Sequence, residues 1–71
     1  MTPYDFTLEK EFIELHVLLK LLALAPSGGS AKAMIASGDV CVDGHIETRK
    51  ACKIRAGQVI TLGDARVRIL E

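Results

Sequence analysis

Apolar residues recur with helical spacing through the first third of the chain. Phe12, Leu15, Leu18, Leu19 and Leu22 fall at three- and four-residue intervals and predict a helix over residues 11–24. Ile13, Val17 and Leu24 lie opposite, beside Lys20, so this helix is apolar on two sides. It needs two covers, a second helix and a sheet, or it leaves one face for a partner. Pro26 stops it. Ser27 is a good N-cap for a second helix reaching to around Ser37, with Ala31, Met34 and Ile35 as its buried stripe. Gly38 is the expected C-terminal stop.

The remainder reads as strands and turns. Val40, Cys41 and Val42 form a short strand, Asp43-Gly44 is a strong two-residue hairpin turn, and His45, Ile46 and Glu47 return. Residues 49–55 are a connector or a poorly regular strand. Ala56-Gly57-Gln58 and Gly63-Asp64 are turns on either side of a strand over residues 59–62. A last strand covers residues 66–70 with Val67 and Ile69 inward. At the other end, residues 1–5 are expected to fray, and Phe6, Thr7 and Leu8 form a short edge strand. The expected fold class is α+β: a two-helix pair packed on a small antiparallel sheet, one domain over residues 1–71 with its core at about residues 12–62.

Composition narrows the class. Hydrophobic residues make up 49% of 71, enough to exclude disorder in a chain near the lower limit for a self-sufficient core. Formal net charge is zero, which argues against an indiscriminate polyanion binder. The charges are unevenly placed, however: Arg49, Lys50, Lys53 and Arg55 fall within seven residues that contain no acid. Two cysteines outside any C-x-x-C pair, no basic opening segment and no apolar run of the ~18 residues that span a membrane point to a reduced, cytoplasmic protein.

Two stretches have chemistry to offer. The run Ser27-Gly28-Gly29-Ser30-Ala31-Lys32 opens the second helix, where unpaired N–H groups and partial positive charge suit a phosphate. Two glycines remove side chains that would hold a phosphodiester away, and Lys32 adds a full charge; an ordinary capped helix containing glycines is the alternative. In the second stretch, an extended backbone points Arg49, Lys53 and Arg55 one way and Cys52 and Ile54 the other, with Lys50 alongside. A basic row over an apolar edge suits a phosphate backbone, although a solvated strand face has the same pattern. Arg66 and Arg68 are accounted for by edge protection of the last strand. Cys41, His45, Cys52 and His16 match no common zinc spacing, and nothing resembles a nucleotide-binding glycine loop, so no metal, cofactor or catalysis is expected. Tyr4, Phe6 and Phe12 are the only aromatics, so the sheet region has none on which bases could stack.

The ordered set Ser27-Gly28-Gly29-Ser30-Ala31-Lys32, Ile35, Gly38, Val40, Val42-Asp43-Gly44, Glu47, Arg49-Lys50, Lys53-Ile54 and Gly57 resembles the alpha-L, or S-four-like, RNA-binding domain. Its short, stand-alone bacterial type is the nearest match, with S-G-G-x-A-K and E-x-R-K-x-x-K-I. The resemblance implies two helices on a small sheet. It also implies a monomeric, ribosome-associated module that binds structured RNA without catalysis, through Ser27, Gly28, Gly29, Lys32, Arg49, Lys50 and Lys53. Arg55 joins that set from the charge pattern. Many family members carry arginines near the positions of Gly28 and Gly29; this chain does not. The competing expectation is a protein-interaction module that uses Ile13, Val17 and Leu24.

Overall fold

The computed structural model describes residues 2–71. Its elements are β1 (Thr2–Thr7), β2 (Ile13–Glu14), α1 (Leu15–Leu21), α2 (Gly28–Ala36), β3 (Val40–Val42), β4 (His45–Ile46), β5 (Lys53–Ile54), β6 (Val59–Leu62) and β7 (Ala65–Leu70). Five strands form one sheet in the order β1-β7-β6-β3-β4, and β2 and β5 form a separate two-stranded ribbon. The α+β class holds, and β7-β6-β3-β4 is antiparallel as expected.

The departures have physical causes. Residues 2–5 are not frayed. They belong to β1, which runs parallel to β7 from Thr2 opposite Ala65 to Thr7 opposite Leu70. The free edge of β7 would otherwise present unpaired backbone groups. Residue 1 lies outside the described residues. Because β7 now lies between β1 and β6, edge protection does not explain its arginines. Arg68 instead reaches across to Asp5 on β1 with two parallel bonds, Nε to Oδ1 at 2.9 Å and Nη2 to Oδ2 at 3.1 Å. The Arg68 guanidinium holds the Asp5 carboxyl below the usual carboxylate range.

α1 is shorter than its periodicity predicts at both ends. Ile13 and Glu14 are extended and pair with Ile54 and Lys53, so the ribbon takes the expected first turn. At the other end, Pro26 is not the stop. Ala23 adopts the left-handed conformation (φ 59°), Ala23 N–H donates to Lys20 O, and Leu24 N–H donates to Leu19 O. This is a Schellman closure with alanine where glycine is usual. α2 ends the same way at Gly38 (φ 81°), with Asp39 N–H bonded to Met34 O. The hairpin turn is as read: Asp43 (φ 52°) and Gly44 (φ 84°) are both left-handed, the signature of a type I′ turn.

The core is aliphatic. Leu15, Leu18 and Leu19 of α1, Ala31 and Ile35 of α2, Val40, Ile54, Ile60, Val67 and Ile69 are all buried, together with Ala25. The core covers the Leu15, Leu18 and Leu19 face of α1. The other expected face is only partly closed: Val17 on α1, Ile13 on β2 and Leu24 beyond the helix end are half-buried, and Leu21 stays 63% exposed. Among the described residues no helix is long and apolar enough to cross a membrane.

Candidate nucleic-acid interface

Ser27 is extended (φ −153°, ψ 166°) and caps α2. Its Oγ accepts from Ser30 N–H at 3.1 Å, which satisfies one of the helix's orphan donors. Neither following glycine is required by packing. A Cβ on Gly28 would meet nothing within 4 Å, and one on Gly29 only Ser27 Oγ at 3.9 Å. Without side chains at these two positions, the backbone at the helix start is uncovered. Lys32 is exposed one turn further on.

Residues 47–52, which run into the connector expected over 49–55, are held tightly. Glu47 is its hub. Its side chain, only 16% exposed, accepts Arg49 N–H at 3.1 Å, Arg49 Nε at 2.9 Å and Arg49 Nη2 at 3.1 Å. Arg49's side chain, then its backbone N–H, then the Cys52 thiol hold the Glu47 carboxyl down to about 2, from an ordinary 4.5. Burial, followed by the same carboxylate, pushes the thiol up. The connector is also tied to α1, which has no side-chain cap. Leu15 N–H donates to Cys52 O at 2.9 Å and His16 N–H to Lys50 O at 3.1 Å. The loop that carries Arg49 and Lys50 therefore serves as the N-cap of α1.

The alternation expected over residues 49–55 holds in outcome though not as one strand. Ile54 is fully buried and Cys52 half-buried, whereas Arg49, Lys53 and Arg55 face solvent. Only Lys53–Ile54 is strand, because residues 50 and 51 turn. Register carried one step beyond β2 sets Phe12 opposite Arg55. Lys53 Nζ lies 4.8 Å and Arg55 Cζ 5.7 Å from the centre of its ring. Arg55 also bonds Glu11 at 3.1 Å. Among the described residues, Lys32, Lys50 and Lys53 form no ion pair, Arg55 holds one with Glu11 that is exposed on both sides, and Arg49 is bound to the half-buried Glu47 carboxylate. The Arg55–Glu11 pair can be exchanged for phosphate at small cost.

The two basic stretches are linked through α1, with the connector on its first turn and α2 packed along it. The sequence reading missed Glu47 as the organiser of the loop and Phe12 as a neighbour of the basic row. Glu47 stood in the motif with no role attached. Phe12 looked like a core position of a helix.

Folding with the pair in place makes Glu47 an acid-sensitive element. Its carboxyl is held below its unfolded value, so the stability it contributes is present above about pH 4.5 and lost as pH falls toward 2. Glu47→Gln should therefore lower the urea midpoint at neutral pH and flatten its dependence over that window. Asp5 keeps the variant from becoming wholly flat, because its shift has the same sign. Identical midpoint-against-pH curves for variant and wild type would show that the hub contributes nothing to folding.

A helix pair on a mixed sheet, with a basic loop capping the first helix and an open glycine start on the second, defines a small α+β module with no buried polar centre among the described residues. The model of the S4 domain matches residues 6–70, and the chain belongs to that family. YbcJ of Escherichia coli strain K12, an RNA-binding protein by name, is 48% identical over 58 residues, covering 82% of this chain and 83% of YbcJ. YbcJ of Shigella flexneri, which is uncharacterised, matches to the same extent. The solution structure of the E. coli protein superposes with a TM-score of 0.73 at 46% identity, covering 94% of this chain and 86% of that one. It is described as revealing an alpha-L motif involved in RNA binding.

Proposed function

We propose that this chain is a cytoplasmic, monomeric RNA-binding module that holds structured RNA, ribosomal or of similar shape, by phosphate and shape contacts and performs no chemistry itself. Ser27, Gly28, Gly29 and Lys32 meet the RNA at the start of α2, and Arg49, Lys50, Lys53 and Arg55 meet it from the connector and β5. The observation that carries this reading is the pairing of a locked loop that spends its rigidity on displaying cations with a helix start kept bare by two glycines that packing does not need. The relatives' descriptions support the same reading. The direct test is binding of a folded RNA across a salt series, wild type against the Lys32, Arg49 and Lys53 alanine variant.

The glycines give a test of opposite signs. Gly28→Ala and Gly29→Ala each fit the structure, and should leave stability unchanged or raise it by up to about 1 kcal/mol. Each added methyl stands where the phosphate approaches, so RNA affinity should fall several-fold. Thermal melts and anisotropy titrations measure the two effects separately. Unchanged affinity in both variants would remove the helix start from the interface.

Docking of a protein on Ile13, Val17 and Leu24 is the second reading. Leu24 packs partly against the core, while Ile13 and Val17 are half-buried along an open apolar groove. A protein retained by the chain after nuclease treatment would favour it.

A further inference from the structure

The fold brings an aromatic ring to the basic row, which the sequence places far from it. β2 and β5 pair antiparallel, so Phe12, Glu14, Lys53 and Arg55 share the outer side of the ribbon while Ile54 is buried on the other. Phe12 is half-buried, with the Lys53 ammonium and the Arg55 guanidinium both over its ring. The same ring forms a wall of an open groove of about 630 Å³ whose apolar surface also comes from Phe6, Leu8, Ile13, Val17 and Leu21. That volume lies within the range of about 300–1,000 Å³ usual for small-ligand sites.

We infer that this groove receives one unpaired nucleobase of the bound RNA, stacked on Phe12, with its phosphate held by Lys53 and Arg55. This deepens the RNA-binding reading and rests on it. Charge argues for this occupant. Lys53 and Arg55, set over the Phe12 ring, follow Arg49 and Lys50 along the chain, so a backbone that tracks the basic row arrives at Phe12. Acidic groups set the limit. Glu11 is bound to Arg55, and Glu9, Lys10 and Glu14 line the groove, Glu14 directly across the ribbon from Lys53. Two carboxylates against one ammonium along the lining disfavour a continuing strand of phosphates, so the groove admits a single nucleotide with its phosphate at Lys53 and Arg55, beside the Phe12 ring. Exposed cation–π contacts are weaker than base–aromatic stacking. The base takes over the ring contact that Lys53 now makes, and the freed ammonium moves onto the phosphate.

The experiment compares a blunt RNA duplex with the same duplex carrying three unpaired uridines at its 3′ or 5′ end. Wild-type protein should bind one extended duplex about 5- to 100-fold more tightly than the blunt one. Phe12→Tyr should keep that gain. Phe12→Leu, which keeps an apolar side chain and both cations, should bind the blunt duplex like wild type and lose the gain. As a second readout, independent of any variant's folding, uridine base protons of the extension should shift upfield on binding wild-type protein. A gain that survives Phe12→Leu, or wild type with neither gain nor ring shift at either end, would overturn the inference. Uptake of an acidic peptide by the groove in place of the uridines would overturn it in favour of a protein partner. Failure to bind blunt and extended duplexes alike would overturn the RNA-binding reading itself, and this inference with it.

Discussion

Replacing Lys32, Arg49 and Lys53 together with alanine should lower affinity for a folded RNA on the order of a hundredfold, at about 1 kcal/mol per lost contact. It should also make the salt dependence shallower. Each phosphate neutralised by a cation releases counterions on binding, so a plot of log affinity against log salt loses close to one unit of slope per phosphate contact removed. Three independent contacts therefore predict a slope shallower by about two to three units. The fold should persist, because all three side chains are exposed. Arg49 gives up its side-chain bonds to Glu47, so the variant should fold with a lower urea midpoint than wild type. The near-zero net charge sharpens the test. With no general electrostatic attraction to mask it, affinity should depend on where these few cations stand. An unchanged slope in the triple variant would mean that they do not touch phosphate. A full loss of slope from Lys32→Ala alone would mean that the connector is not part of the interface.

Local chemistry was legible in the sequence, and long-range pairing was not. Ser27 as a cap, Gly38 as a stop and Asp43-Gly44 as a turn were all correct, because each depends on the backbone conformation of one or two residues. The type I′ turn has a further support that sequence does not announce: Asp43 Oδ1 accepts Val59 N–H at 2.9 Å from the neighbouring strand. β1 and the start of α1 were misread for one reason. Thr2 to Thr7 are held by the distant edge of β7, and Ile13 and Glu14 by β5. In both cases a partner far along the chain decides between conformations that the local pattern leaves open. The candidate site divides the same way. Lysines, arginines and glycines of suitable type could be named at once. The role of Glu47 follows from the bonds it makes with Arg49, and Phe12 becomes a neighbour of Lys53 only through the β2–β5 register. The helical spacing of Phe12 with Leu15 and Leu19 pointed away from that outcome.

Ile54→Ala should be the most destabilising single change near the interface. Ile54 is fully buried and belongs to a strand of two residues, between Lys53 and Arg55 and opposite Ile13. Truncating a buried isoleucine to alanine costs about 2–5 kcal/mol, from lost burial and the cavity left behind. A domain of this length has a total stability of roughly 4–10 kcal/mol, so one substitution removes a large share of it. With a urea dependence of about 1 kcal/mol per molar for a small domain, the midpoint should fall by about 2–5 M at unchanged slope. Ile54→Val, which removes one methyl, should cost about 1 kcal/mol. The ribbon gives the change a second consequence. Lys53 and Arg55 are held over Phe12 only while Ile54 anchors the strand between them. The alanine variant, tested where it is still folded, should then bind RNA more weakly than its folded fraction accounts for, whereas Ile60→Ala, equally buried but on β6, which carries no cation of the interface, should lose affinity only as it unfolds. Equal affinity per folded molecule in the two variants would mean that anchoring of β5 has no part in presenting the basic row.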